Sequence, residues 1–212
     1  VMGSGIAGMH YIGMAAMRMD ARTSYDRPLV AVSVLIAVGA SLAALRLAHL
    51  HVMLMGFVGL TAAGTLHNLF PTVLGKPLWS RRLIPWQLFL HGTGVVALVI
   101  GLLAAARAVT ILGGIALLIA FALLTLNLWV TALPTLARAP IAAFHLLLAT
   151  TWLTATAGLG LHVGLFPGDA AFLPIFAHIG MVGFLLQIIM GGAAYLLPVM
   201  LALSASRRQF EH

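Results

Sequence analysis

Apolar residues gather into long stretches, separated by short clusters of charge and helix breakers. A run of about 20 apolar residues rising about 1.5 Å each crosses a hydrocarbon core of about 30 Å. Seven such segments are predicted, over 2–17, 28–48, 50–71, 84–106, 109–133, 141–166 and 172–199, the first of them short. Arg18 to Pro28, Gly75 to Arg82, Arg107, Arg138 to Pro140 and Phe166-Pro167-Gly168-Asp169 mark the connections. The expected fold is therefore all-α, a polytopic transmembrane bundle of about seven helices. One connection lacks its signal. Between 28–48 and 50–71 stand only Arg46-Leu47-Ala48-His49, without a glycine, proline or asparagine to turn the chain. That junction implies either a very tight turn or segments that are not neighbours in the natural protein.

Composition fixes the solvent: 62% of the 212 residues are hydrophobic, 7% are charged, and mean hydropathy is +1.12. A chain of this kind belongs in a bilayer. The formal charge of +7 would point to nucleic acid in a soluble protein, but here the cations fall between apolar runs and set topology instead. No nucleic-acid partner is expected. Lys76, Arg81, Arg82, Arg138, Arg207 and Arg208 are assigned to one side, with Arg18, Arg22 and Arg27, while Arg46, Arg107 and Asp169 take the other. The positive-inside rule then puts the N-terminus outside and the C-terminus in the cytoplasm. The expected location is a bacterial or archaeal cytoplasmic membrane. No signal peptide is read, and a start at Val1 looks like a cut chain. Zero cysteines exclude disulfides and thiolate ligands, so a metal must rest on His, Met, Tyr or backbone. Asp20, Asp26, Asp169 and Glu211 lie in loops or the tail, leaving no carboxylate pair for acid–base chemistry. A phosphate loop, a dinucleotide glycine fingerprint and a nucleophile elbow are also missing, so no catalytic residue is assigned.

One pattern occurs twice. His51 is followed by Gly56, Phe57, Gly64 and Pro71, and His178 by Gly183, Phe184, Gly191 and Pro198, at identical offsets of 5, 6, 13 and 20 residues. Three predicted crossings separate the two copies, so the repeat helices should run the same way and hold both imidazoles near the outer face. Neutral imidazole is the commonest protein ligand for iron, copper and zinc. His51 and His178 are therefore the first candidates for binding haem b, with Gly56 and Gly183 admitting a flat ring between the helices. The glycines could equally serve close helix packing alone. Intramembrane histidines usually mark cavities or satisfied polar contacts. The others sort into an outer layer of His49 and His162 and an inner layer of His67, His91 and His145, all secondary candidates. In a regular helix His51 and His67 stand about 24 Å apart and about 160° apart in azimuth, which disfavours two stacked haems facing one interior.

A second chemical feature opens the chain: Gly8-Met9-His10-Tyr11-Ile12-Gly13-Met14-Ala15-Ala16-Met17 sets a thioether, an imidazole and a phenol side by side. Met9 and His10 make a plausible copper-binding pair. With Ser24-Tyr25-Asp26 before an apolar helix, residues 8–48 resemble part of an MHYT domain, a bacterial membrane module proposed to sense diatomic gas or redox state through copper. Ile12 stands where that family has threonine. The rest of the chain resembles a different group, small membrane proteins related to the haem-copper oxidase catalytic subunit and nitric oxide reductase. His49-Leu50-His51, Gly56-Phe57-Val58-Gly59-Leu60-Thr61, Phe70-Pro71-Thr72-Val73-Leu74-Gly75 and Tyr195-Leu196-Leu197-Pro198-Val199 carry that likeness. It implies haem b on His51 and His178.

The domains expected are accordingly an MHYT-like helix pair over 1–48 and a five-helix oxidase-like domain over 49–212, with repeat helices 50–71 and 172–199. The leading expectation is a haem b or copper electron-transfer subunit of a respiratory or nitrogen-oxide-reducing oxidoreductase. It would not be catalytic alone, and would work with other membrane subunits and an electron donor protein or quinol. The rivals are a copper-dependent gas or redox sensor built around His10, and a structural subunit without cofactor.

Overall fold

A computed structural model describes residues 27–169 and 171–210. Every regular element among them is helical, and no strand occurs. The chain divides after His51. The first unit contributes helix α1, Arg27–His51. The second begins with a π-helical stretch, Val52–Val58, and continues as α2 (Gly59–Leu74), α3 (Leu83–Leu103) and α4 (Arg107–Ala132). Then come a 3-10 turn, Leu133–Arg138, α5 (Ile141–Leu165), α6 (Phe172–His178), a second π-helical stretch, Ile179–Leu186, and α7 (Gln187–Phe210).

Five spans are long and apolar enough to cross a membrane: Ala48–Leu74, Leu83–Leu103, Arg107–Arg138, Ile141–Leu165 and Phe172–Ala202. Six of the seven expected segments fall among the described residues, and the count of seven is not confirmed. Segment 2–17 lies outside them, and 28–48 falls within α1, whose described apolar stretch Pro28–Gly39 makes a sixth candidate. No turn is found at 48/49, where both α1 and the first π-helical stretch are helical. The same lack of Gly, Pro or Asn that left this junction without a turn signal is the reason helix formation does not stop there.

Within the second unit each span packs antiparallel on the next. His91 and His67 mark α2 against α3, through Met55 O and Gln87. Gly94 meets Leu117 and Gly101 meets Thr110 between α3 and α4. Trp129 bonds Thr151 while Gly114 faces Leu161, which runs α5 back along α4. Gly160 faces Phe176 and His145 bonds Gln187, turning the last span against α5. These four reversals leave the spans that begin at Val52 and Phe172 running the same way.

Glycines set how closely α3 and α4 approach. A Cβ on Gly113 would strike the Leu98 backbone and one on Gly101 the Thr110 backbone, so these helices touch main chain to main chain. Small residues permit such contact in membranes, where apolar burial between helices gains little over lipid. Gly75 does a different job, ending α2 in the left-handed region at φ 64°. Lys76 N–H donates to Pro71 O at 3.1 Å and Gly75 N–H to Thr72 O at 3.3 Å, the paired bonds of a glycine-terminated helix.

The loop that follows is tied down by α4. Ser80 N–H donates to Asn127 Oδ1 at 3.0 Å, and Asn127 Nδ2 donates back to Ser80 O at 2.9 Å. Trp79 N–H donates to Thr131 Oγ1 at 2.8 Å, and Lys76 Nζ to Thr135 Oγ1 at 3.4 Å. The loop carrying Lys76, Arg81 and Arg82 therefore sits beside Leu133–Arg138. At the opposite end Arg107 donates to Leu165 O at 2.7 Å. Trp79 and Trp86 are exposed near the cationic loop, as aromatic side chains are at membrane interfaces.

Candidate functional site

Both repeat histidines immediately precede a π-helical stretch: His51 stands before Val52–Val58 and His178 before Ile179–Leu186. π-helical turns are rare and recur at functional sites. The repeat read from the sequence thus has a backbone counterpart. It also removes the premise of the azimuth estimate, because residues 51–67 are not one regular α-helix. The separation of about 160° between His51 and His67 does not survive.

The side chains around the repeat are closely packed. A Cβ at Gly56 would lie 3.4 Å from Val95 Cγ1, and one at Gly183 would lie 2.6 Å from Trp152 Cγ. Gly191 sits against Leu146 in the same manner, whereas Gly64 meets nothing within 4 Å. So Gly183 and Gly191 admit neighbouring side chains, and only Gly64 of these borders open space. His178 is exposed, His51 half-buried and His49 exposed. No group of three or more His, Cys, Asp or Glu side chains suited to a metal occurs among the described residues. Met9 and His10 lie outside those residues.

The remaining histidines are cross-links. His91 is fully buried; its Nε2–H donates to Met55 O at 2.8 Å and its ring meets Phe121 edge-on at 4.7 Å. Met55 belongs to the first π-helical stretch. Gly59 lets that backbone approach, since a Cβ there would lie 3.2 Å from the imidazole. His91→Leu is expected to lower stability by about 1–3 kcal/mol by stranding the Met55 carbonyl. Thermal unfolding in detergent checks this, and a transition at the wild-type temperature would refute it. His67 Nε2–H donates to Gln87 Oε1 at 3.1 Å, and His145 Nδ1–H to Gln187 Oε1 at 2.5 Å. His162 Nε2 pairs with Asp169 Oδ2 at 3.0 Å, half-exposed, between Phe166 and Phe172.

Sequence reasoning weighed these histidines one at a time and missed their partners. Gln87, Gln187 and Asn127 are single amides in apolar helices, and that rarity was the available signal.

Comparison with known proteins finds a bacterial signalling family over part of the chain. Residues 3–75, about a third of the chain, match the family described as MHYT, bacterial signalling protein N terminal repeat. The matched range continues past 48/49. A curated relative, the cyclic di-GMP phosphodiesterase NbdA of Pseudomonas aeruginosa, is 60% identical over 43 residues. That stretch is 20% of this chain and 6% of the relative. No solved structure matches. The likeness to the haem-copper oxidase group gains no support from these matches, and with it the haem, electron-transport and oxidoreductase reading loses its ground. Apolar membrane-length helices together with the MHYT match make this an integral membrane protein.

Proposed function

We propose that the chain is a membrane-embedded sensory module that holds copper at Met9 and His10 and reports diatomic gas or redox state to a signalling output. The MHYT match over residues 3–75, which contains both side chains, carries this reading. A thioether and an imidazole, with the phenol of Tyr11 adjacent, form a donor set suited to soft Cu(I). Copper would supply an open coordination position and a one-electron couple. The protein must then convert a change at the metal into a shift between two conformations, by binding the metal differently in each. By analogy with the relative, the output is turnover of cyclic di-GMP.

Titration of Cu(I) into the detergent-solubilised full chain, against a chromogenic chelator, should show stoichiometric binding that falls at least tenfold in His10→Ala. Equal affinity in wild type and His10→Ala would defeat the copper reading. In cells, a gas challenge should change cyclic di-GMP only with His10 intact.

A further inference from the structure

Cations gather at one end of the second unit. Lys76, Arg81 and Arg82 lie in the loop between α2 and α3, and Arg138 closes the 3-10 turn between α4 and α5. The two connections are fastened to each other: Asn127 and Thr131 at the end of α4 bond the backbone of Ser80 and Trp79, and Lys76 Nζ donates to Thr135 Oγ1 in the 3-10 turn. Arg81, Arg82 and Arg138 are exposed. Among the described residues the one carboxylate is Asp169, which pairs with His162 beyond the far end of α5. The 25 residues of that helix separate it from Arg138 by about 37 Å. No described acid therefore neutralises this end. Trp79 and Trp86 flank the two arginines with 57% and 65% of their surface exposed. Indole rings collect at the head-group layer of a membrane, so these cations stand at the depth of lipid phosphates.

We propose that this end of the bundle is a binding surface for the head group of an anionic phospholipid, taken from the surrounding leaflet in preference to a zwitterionic one. The positive-inside rule accounts for the side on which cations lie and requires no order among them. Here the bonds from α4 and the 3-10 turn fix the backbone that carries Lys76, Arg81 and Arg82 beside the turn that carries Arg138, so less order has to be imposed when a lipid arrives. Guanidinium groups donate paired N–H bonds to phosphate oxygens. Near a membrane surface each Lys or Arg strengthens attraction to anionic lipid about fivefold.

Native mass spectrometry of the full chain, released from nanodiscs of equal parts phosphatidylglycerol and phosphatidylcholine with matched acyl chains, reads the preference. Both lipids carry a phosphate, so the ratio retained reports the net charge of the head group. The wild type should retain phosphatidylglycerol at least tenfold over phosphatidylcholine. The variant combining Arg81→Gln, Arg82→Gln and Arg138→Gln should lower that ratio at least fivefold. It spares Lys76, Asn127 and Thr131, so the loop keeps its bonds. Arg107→Gln removes a cation at the opposite end and should leave the ratio unchanged. Equal retention of the two lipids by the wild type, a ratio that persists in the triple variant, or an equal fall in Arg107→Gln overturns the proposal.

Discussion

Gly113→Ala is expected to lower the stability of the bundle by about 3 kcal/mol or more, the upper end of overpacking effects. Most enlarged side chains find a neighbour that can rotate away. Here the added Cβ meets the main chain of Leu98 and the carbonyl of Gly94, and neither moves without shifting all of α3. Gly101 repeats the situation against Thr110 one end further on, so the two helices have no compliant contact at which to part. Gly92→Ala is the matched control on α3. Its Cβ would meet nothing within 4 Å, and alanine gains up to about 1 kcal/mol of helix propensity. Unfolding of both variants in mixed micelles measures the difference, and equal midpoints would show that the backbone contact does not limit packing.

The second large effect belongs to Asn127. Its side chain forms two bonds with the backbone of Ser80, reading the loop as a neighbouring strand would. Asn127→Leu keeps the branching at Cγ but adds volume at a buried position and leaves the Ser80 N–H and carbonyl without partners, at an expected loss of about 2–3 kcal/mol or more. The loss should be local as well as global. Hydrogen exchange at the Ser80 and Trp79 amides should accelerate strongly while α5 stays protected. Unchanged exchange in the loop would mean that Thr131 and Lys76 hold it alone.

Hydropathy located most of the second unit. Segments 84–106, 109–133 and 141–166 differ from α3, α4 and α5 by only a few residues, because charge or proline closes each run. The first two long segments were less legible. A window of apolar residues records length and gives no sign of where one helix ends if no breaker interrupts it, and around Arg46 to His49 none does. The π-helical stretches were invisible for another reason: they change the hydrogen-bond step along the backbone while leaving the apolar composition intact. The repeat at His51 and His178 was readable, but its glycines carried two meanings. Only coordinates could show Trp152 filling the space beside Gly183 and open space beside Gly64. Pairs such as His67–Gln87 and His145–Gln187 join residues 20 and 42 positions apart, a separation no local pattern encodes.

The antiparallel succession of spans also orders their biogenesis. α3 and α4 are joined by a short turn at Ala104–Ala106, where Ala105 takes the left-handed conformation at φ 51°. They can therefore enter the bilayer as a ready-made hairpin, built from contacts local in sequence that form fast. α2 has no such early partner for its whole face. Ala63, Leu66 and Phe70 share a core with Ala143, Leu146 and Leu147 of α5, which leaves the ribosome about 80 residues later. Until α5 arrives, α2 must be chaperoned by lipid or by the insertion machinery, and a chain that stops before residue 141 exposes an unfinished seam to membrane quality control.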